Sequence, residues 1–583
     1  MSDPWDAHND IYYENMIANE RPVPKPSWTF PSPFFPYAVA TYMVRDPIAW
    51  GPQPRTLAEL RMYALSWAIR SKPEWQRKID DASIIEKWRK EALDQQADLP
   101  VEERLTPNMV NYVLTELAAY ARLSDPVSGI ECGPFDAIWY SDRLIPTDLA
   151  DRLRTAVAGL ESVPDESKDW HPGSNGQVLD LVHPSLYCIV YGRTHFRDNS
   201  NFTPFMPPPG KDGQITAEHS RSGRYSWLPS DFSVATDGSV KLTSSYINNL
   251  HPTKQKPLYP VVEAVISSFV PLFERVLSQI NGEKQDLYRD ITPGFGRIKV
   301  GRTYGTWAGY NAKYCGISVP CIWVKADELS VSRKKAAKFL PEAFEEYTGE
   351  LEKTIVPYSL RGRTIQCIVK LANIHLTVDN PKYPGGSWHV EGMLNERIVA
   401  SGIYYYDEEN ITESQLAFRV TTGAPVYHEQ DDDKCMDILY GLKRDTPCYQ
   451  DLGSVVTSAG RALAWPNIYQ HRVSPFRLLD PTKPGHRKII AIFLVDPSIN
   501  PIASATNIPP QQSDWVFEAL EDPTSTFARL PSELAITIQE GFSDGLMSRA
   551  EAEYHRLELM KERTQFIGGH GRELKHSFNM CEH

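Results

Sequence analysis

From about residue 364 onward, the sequence consists of short runs rich in β-branched and aromatic residues. The runs TIQCIVKLANIHLTV, RIVASGIYYYD, QLAFRV, ALAWPNIYQHRV and RKIIAIFLVD are separated by Gly, Pro, Asn and Asp. Short runs of this kind, bounded by turn residues, are typical of antiparallel sandwiches and barrels. We therefore predict an antiparallel sandwich or barrel over residues 361–500.

The segments on either side have helical spacing of apolar residues. Residues 51–360 are predicted to be mainly helical, with the strongest amphipathic run at 260–280 and an N-cap at Thr106 ahead of TPNMVNYVLTELAAYARL. Residues 501–583 are predicted to form a C-terminal helical extension. Residues 1–50 are rich in Pro and aromatic residues and are expected to form an arm on the surface.

Composition narrows the class of protein. A net charge of -13 argues against nucleic acid as the partner. No apolar run is long enough for a membrane span, and the N-terminus lacks the apolar core of a secretory signal. The eight cysteines are scattered, which favours reduced thiols in a cytoplasmic protein. We expect a small-molecule substrate, and the oligomeric state stays open.

The stretch GGSWHVEG, residues 385–392, places His389 and Glu391 two positions apart. Given 15 His and 74 acidic residues, about two His-x-acid pairs are expected by chance, and two occur. The other pair, His8 and Asp10, lies in the Pro-rich arm. In a strand, residues i and i+2 point to the same side, so the first pair presents an imidazole and a carboxylate together.

A second histidine from another strand would complete a set of two histidines and one carboxylate, which leaves positions open on Fe(II). The best candidate is His471, because an apolar run leads up to it and the chain turns soon afterwards. Three other histidines fit less well, since His375 precedes the motif, His428 lies in an acidic loop and His486 follows a glycine at a turn.

Arg487 begins a row with Ile489, Ala491 and Phe493 on one face of a predicted strand. A guanidinium facing an apolar interior requires an anion, and a carboxylate bound in bidentate fashion suits it best. The order is His-x-Glu, about 80 residues, His, then 16 residues and Arg. This order matches Fe(II) oxygenases that chelate 2-oxoglutarate.

Each of these residues also has a simpler interpretation. His389 can be a structural histidine whose hydrogen bonds are satisfied, and His471 can lie at the exposed end of a strand. Arg487 can pair with an internal acid such as Asp480. A further set on the predicted strands is expected to line the pocket, with barrel packing as the alternative: Lys370, Asn373, Tyr404 and Tyr469.

Several long segments resemble one mostly fungal family, domain of unknown function 4246. They include WHPGSNGQVLDLVHPSLYCIVYGRT, IPPQQSDW and the whole of IVKLANIHLTVDNPKYPGGSWHVEGMLNERIVASGIYYYDEENITESQLAFR. The resemblance extends over roughly residues 35–565. It implies a C-terminal half similar to the double-stranded β-helix (jelly-roll) of Fe(II)/2-oxoglutarate oxygenases, in an α+β protein.

Carried over to this sequence, the oxygenase motif falls on His389, Glu391 and His471 for iron and on Arg487 for 2-oxoglutarate. Most of the superfamily has Asp where this chain has Glu391. The expected function is an Fe(II)- and 2-oxoglutarate-dependent dioxygenase that uses O2 to hydroxylate, desaturate or cyclise a small metabolite, such as an amino acid or a secondary-metabolite intermediate. The alternatives are a cupin-like metalloenzyme without 2-oxoglutarate (a thiol dioxygenase or an isomerase) and a non-catalytic scaffold.

Overall fold

The chain combines helices with antiparallel β-sheet. The computed structural model describes residues 30–34, 54–198, 201–207, 221–281, 298–299, 342–344, 347–353, 355–422, 433–524, 529–531, 533–534, 536–537 and 544–573. Its helices are α1 (Leu57–Arg70), α2 (Trp75–Lys78), α3 (Ala82–Asp94), α4 (Pro107–Leu123), α5 (Thr147–Glu161), α6 (Tyr259–Ile280), α7 (Glu350–Lys353), α8 (Asp433–Tyr440), α9 (Ser513–Glu521) and α10 (Arg549–Glu573). Among the described helices, none has both the length and the apolar character needed to cross a bilayer.

The strands are β1 (Glu131–Cys132), β2 (Trp139–Ser141), β3 (Val178–Val182), β4 (Ile189–Val190), β5 (His195–Asp198), β6 (Asn201–Pro204), β7 (Tyr225–Ser226), β8 (Ser230–Val234), β9 (Val240–Leu242), β10 (Ile298–Lys299), β11 (Glu342–Ala343), β12 (Thr364–Leu376), β13 (Lys382–Tyr383), β14 (Ile398–Glu409), β15 (Gln415–Thr421), β16 (Tyr449–Val456), β17 (Ala462–Pro466), β18 (Tyr469–Val473), β19 (Phe476–Arg477) and β20 (Gly485–Val495). Each of the five β-rich runs therefore contains a strand. The run ALAWPNIYQHRV contains two, β17 and β18.

One large sheet has the order β1-β2-β17-β14-β20-β12-β8-β9, and β3 also pairs with β12. All pairings in this sheet are antiparallel. A smaller antiparallel sheet has the order β16-β15-β18. The protein is thus α+β with a large antiparallel sheet, in agreement with the predicted class.

Helix α6 covers one face of the large sheet. Ile490, Ile492 and Leu494 of β20 belong to the same buried cluster as the apolar side of this helix. Gly402 in β14 permits the close approach, because a Cβ atom there would lie 2.7 Å from the ring of Phe269. The predicted helix at 260–280 is confirmed, as is the N-cap role of Thr106, which accepts a hydrogen bond from the N–H of Met109.

The other face of the large sheet packs against the smaller sheet. Ala491 and Phe493 of β20 share a buried cluster with Leu416 and Phe418 of β15 and Val455 of β16. Because alternate residues of a strand point to opposite faces, β20 contributes to both layers of the core. The space between the two sheets holds the residues of the candidate site.

The prediction of a mainly helical region over residues 51–360 is wrong for residues 131–141 and 178–242, whereas helix α5 between them agrees with it. Strands β1 to β9 lie in these spans, and β2, β3 and β8 extend the large sheet by pairing with β17 and β12. They are only two to five residues long. Such strands are too short to show a two-residue period, and pairing with longer strands stabilises them.

Most of the predicted N-terminal arm, residues 1–50, lies outside the described residues. Within it, Phe30 and Phe34 are 1% and 5% exposed. Phe34 packs in a small cluster with Met393 and Leu394, next to the GGSWHVEG stretch. At these positions the arm is part of the core rather than a surface segment.

Helix α10 is anchored by a buried ion pair. Arg563 donates to Glu396 Oε1 at 2.5 Å, and the Glu396 side chain is 0% exposed. Arg563 also stacks on Trp227, with 3.9 Å between Cζ and the ring centroid. Glu396 accepts a second hydrogen bond from the N–H of Met393 at 2.6 Å. The C-terminal helix is therefore tied to the loop that follows GGSWHVEG.

Replacing Arg563 with alanine should lower the free energy of unfolding by about 1.5–3 kcal/mol, because Glu396 would lose its charged partner. Urea denaturation would measure the loss. Lys561→Ala is the matched control, since Lys561 lies on the same helix and its side chain is 66% exposed. We expect this control to change stability by no more than about 0.5 kcal/mol. Equal losses in the two variants would contradict the anchoring role.

Candidate functional site

Backbone pairing places His389 opposite His471. The N–H of His389 donates to the carbonyl of His471 at 3.2 Å, and the N–H of His471 donates back at 2.9 Å. Residues that exchange both hydrogen bonds in this way are direct antiparallel partners, so their side chains project from the same face. The two imidazole centroids are 4.3 Å apart.

Glu391 lies two residues beyond His389 and projects to the same side. Its Oε1 is 3.6 Å from His389 Nε2 and 3.4 Å from His471 Nε2. One ligand-type atom from each residue lies within 4.8 Å of the others. The His471 side chain is 7% exposed and the Glu391 side chain 14% exposed, whereas that of His389 is 34% exposed.

Glycines at both ends give the GGSWHVEG stretch its path. Gly385 has φ +90°, and a Cβ atom there would lie 2.9 Å from the carbonyl oxygen of Val473. Gly392 has φ +68°, and a Cβ atom there would lie 2.9 Å from the side chain of Ile398. Positive φ and close approach both favour glycine, so these residues bring the extended segment against β18 at the His389–His471 bridge and then turn it away.

Hydrogen bonds and charge couple the protonation of the three residues. His389 Nδ1 lies 2.8 Å from the carbonyl oxygen of Ser387. Burial alone would lower the pKa of His389, but its hydrogen bond with Glu391 raises it, so Nδ1 donates to the Ser387 carbonyl and Nε2 donates to Glu391. A bound metal ion would take the place of the proton on Nε2. Burial lowers the pKa of His471, and the neighbouring His389 lowers it further. Burial alone would raise the pKa of Glu391, but hydrogen bonds with both histidines hold it well below the usual range.

These donors match the two-histidine, one-carboxylate set that binds Fe(II) and leaves positions open. Two imidazole nitrogens and a carboxylate oxygen point toward one another, and the carboxylate is ionised. The residues present therefore fit the metal that the sequence pattern implies.

Asn467, which the sequence analysis missed, fixes the backbone of Glu391. Its Oδ1 accepts from the N–H of Glu391 at 2.9 Å, and its Nδ2 donates to the carbonyl of Glu391 at 2.9 Å. Nδ2 also donates to the carbonyl of Ile398 at 3.1 Å. Asn467 is 1% exposed and lies in the β17–β18 turn. Its position after Pro466 indicates a turn, but no local signal indicates its partner.

Asn467→Ala should weaken Fe(II) affinity by about 10- to 100-fold, the usual effect of losing a group that orients a metal ligand. An anaerobic Fe(II) titration would measure it. Asn410→Ala is the control, because Asn410 also donates to backbone carbonyls of a neighbouring loop, at Asp480 and Lys483, without touching the triad. If Asn410→Ala lost Fe(II) affinity and Asn467→Ala kept it, the role assigned to Asn467 would be overturned.

Arg487 is buried between the sheets, with 2% of its surface exposed. Its Nη1 donates to Ser414 Oγ at 2.7 Å and to Thr457 Oγ1 at 3.1 Å. Glu408 influences its pKa but forms no ion pair with it, and burial lowers the pKa of this arginine. The alternative partner Asp480 is instead 3.5 Å from Lys483 at the surface. Within the described part of the chain, Arg487 has no carboxylate partner.

Several buried polar atoms of the space between the sheets have no hydrogen-bond partner among the described residues. They are Ser401 Oγ, Tyr405 OH, Trp465 Nε1 and Arg487 Nε. Trp465 contacts His471, with ring centroids 4.8 Å apart, and Arg487 Cζ is 5.5 Å from the centroid of Tyr405. Buried polar groups are normally paired, so this set favours a polar ligand between the triad and the arginine.

The residues predicted to line the pocket divide between the two faces of the large sheet. By alternation along β12, Lys370 shares the inner face with Ile368. Tyr469 is in the same inner cluster. Asn373 faces the helices, where it donates to Glu161 at 2.7 Å.

Tyr404 also belongs to the helix-facing cluster. The prediction is therefore wrong for Asn373 and Tyr404. Both side chains lie on the helix-facing side of the large sheet, because neighbouring residues of a strand point to opposite faces. Of the other histidines, His486 pairs with Asp407 at 2.9 Å, and His375 is its neighbour. His428 lies outside the described residues.

Taken together, the fold and site define an α+β protein in which two histidines and a glutamate converge between two antiparallel sheets, and an arginine is buried between the same sheets. The chain belongs to the family of proteins of unknown function DUF4246, whose model matches residues 107–519. The N-terminal domain model of the same family matches residues 19–91.

The chain also has distant similarity to solved structures. One is an Fe(II)/(alpha)ketoglutarate-dependent dioxygenase, TqaL, at 15% identity and a TM-score of 0.16, covering 26% of this chain and 57% of that one. Another is a bsmA homologue from Methylobium petroleophilum PM1, at 12% identity and a TM-score of 0.14, covering 30% and 54%. The matches thus span little more than half of those chains. No curated protein matches the sequence.

Proposed function

We propose that this protein is an Fe(II)- and 2-oxoglutarate-dependent oxygenase that oxidises a C–H bond of a small metabolite. The proposal rests on two features that both lie in the space between the sheets. A convergent set of His389, Glu391 and His471 lies with a buried Arg487 that has no carboxylate partner among the described residues.

The proposal includes a jelly-roll arrangement of β12 to β20. Its support is that the strands in this span pair antiparallel and form two sheets that pack face to face. In such an arrangement the site lies in the barrel interior. The cytoplasm is the proposed compartment, since the described cysteines Cys132, Cys188, Cys367 and Cys448 are all free and buried.

In this proposal the residues have separate tasks. His389, Glu391 and His471 hold Fe(II), which with 2-oxoglutarate and O2 supplies the oxidising chemistry. Arg487 binds the far carboxylate of the cosubstrate and is held in place by Ser414 and Thr457. Tyr405, whose ring centroid is 5.5 Å from Arg487 Cζ and whose O–H has no partner among the described residues, is proposed to donate to the same carboxylate.

The outcome of the reaction follows from the ligand set. Glu391 would supply the third protein ligand, and 2-oxoglutarate and O2 would take the open positions, so none would remain for a halide. Hydroxylation, desaturation or ring closure is therefore proposed in preference to halogenation. The substrate class, an amino acid or a secondary-metabolite intermediate, is part of the proposal.

Succinate release tests the reaction. The purified chain is loaded anaerobically with Fe(II) and 2-oxoglutarate, exposed to O2 and screened against metabolite fractions. We expect succinate formation that accelerates with one fraction and is absent in Glu391→Ala. Stoichiometric iron without 2-oxoglutarate binding would instead indicate the cupin-like metalloenzyme. Absence of iron binding would indicate a scaffold.

A further inference from the structure

A second group of polar residues lies at the edge strand β3, apart from the triad. His171, Asp180 and His183 have ligand-type atoms within 4.8 Å of one another. Asp180 and His183 also line a cavity of about 240 Å³. Its walls include Tyr187 and Trp515. The cations Lys168 and Arg549 also line it, but they are paired with Asp165 at 2.7 Å and with Asp169 at 3.0 Å.

The hydrogen bonds of this group argue against a metal site. His183 Nδ1 accepts the N–H of Ser185 at 3.2 Å. Burial lowers the pKa of His183 to about 3, so the ring is neutral and its proton is on Nε2. His183 then has no lone pair left for a metal ion, and the group lacks a third ligand.

Asp180 provides the first unsatisfied acceptor of the cavity. Its side chain is 0% exposed, and Oδ2 is 2.7 Å from His171 Nδ1. Oδ1 is buried and has no partner among the described residues. A buried carboxylate oxygen without a partner is costly unless a donor, preferably a cation, reaches it.

Gln512 provides the second acceptor. It is 2% exposed, and its Oε1 is also buried without a partner in the described part of the chain. Its Nε2 donates to Asn248 at 3.5 Å and to Asn249 at 3.4 Å, which directs Oε1 away from these residues. Gln512 lines the same cavity as Asp180.

We propose that this cavity binds the ammonium group of a small organic amine, with Asp180 Oδ1 and Gln512 Oε1 accepting its hydrogen bonds. An ammonium group has three donors and no acceptor, so two of its N–H groups can donate to these two acceptors, one of which is charged. Trp515 and Tyr187 give the ligand an aromatic environment that also favours a cation. The inference goes beyond the proposed oxidation, because it concerns binding alone and does not require iron.

A ligand-observed NMR titration with n-butylammonium tests the proposal on the full chain without added metal. The uncharged probe 1-butanol has the same size and should not bind measurably. Asp180→Asn should weaken n-butylammonium binding at least about tenfold, the range for a hydrogen bond to a charged group. Asp514→Asn is the matched control, because Asp514 lies at the exposed rim of the same cavity, and it should change affinity by less than about twofold.

Gln512→Glu provides a second variant that does not depend on removing the buried carboxylate. It adds a negative charge at the second acceptor, so it should strengthen n-butylammonium binding. Equal binding of 1-butanol, or unchanged affinity in Asp180→Asn, would overturn the proposal. A Zn²⁺ site that persists in His389→Ala but disappears in Asp180→Asn would also overturn it, in favour of a metal site.

Discussion

Stoichiometric Fe(II) binding is expected to disappear when His471 is replaced by alanine, with the fold retained. His471 supplies one of only two imidazoles in the triad, and Glu391 would face His389 alone. Two remaining ligands cannot maintain the set of three that Fe(II) requires for stable binding in this type of site. His389→Ala should have the same effect, and turnover should be lost in both variants.

Iron content after anaerobic loading would be measured beside the thermal unfolding midpoint. His486→Ala is the matched control, because His486 pairs with Asp407 on the helix-facing side and takes no part in the triad. We expect the control to bind iron like the unmodified chain. Full iron occupancy in His471→Ala would mean that the triad is misassigned, and His375 and His428 would be the next candidates.

Arg487→Ala should weaken 2-oxoglutarate binding at least ~30-fold while Fe(II) affinity changes little. Truncating one partner of a buried charge pair costs on the order of 2–5 kcal/mol, which corresponds to about 30-fold or more in affinity. Arg487→Lys should restore only part of the loss, since lysine keeps the charge but not the planar fork. The measurement is a pair of anaerobic titrations, one with Fe(II) and one with 2-oxoglutarate.

Arg472→Ala is the control for general charge effects. Arg472 follows His471 directly, but it is exposed and its Cζ lies 4.6 Å from the ring centroid of Trp388, away from the triad. An unchanged 2-oxoglutarate affinity in Arg487→Ala would transfer the role to Lys370. Lys488, the other cation considered from the sequence, is paired with Glu161 at 3.0 Å and is therefore a poor replacement. No binding to the unmodified chain would favour the cupin-like class.

The alternation along individual strands was predictable from the sequence. The row that begins at Arg487 and continues through Ala491 and Phe493 does face the space between the sheets. His389 and Glu391 do project together. Both results depend on the two-residue period of a strand, which is a local property of the backbone.

Which segments pair with which was decided only by the tertiary structure. His389 and His471 are 82 residues apart, and nothing near either histidine encodes the hydrogen bonds that join them. The same is true of Asn467, whose partner Glu391 comes from another segment.

Face assignment also failed where it depended on context beyond one strand. Tyr405 rather than Tyr404 points toward Arg487, although residues 400–405 of β14 pair with β20 in unbroken register. A shift of one residue moves a side chain to the opposite face. Sequence alone therefore determined the strands of the five β-rich runs and the candidate residue types. Long-range pairing and register decided where the short strands β1 to β9 form and which side chains meet, because both depend on contacts that no local pattern contains.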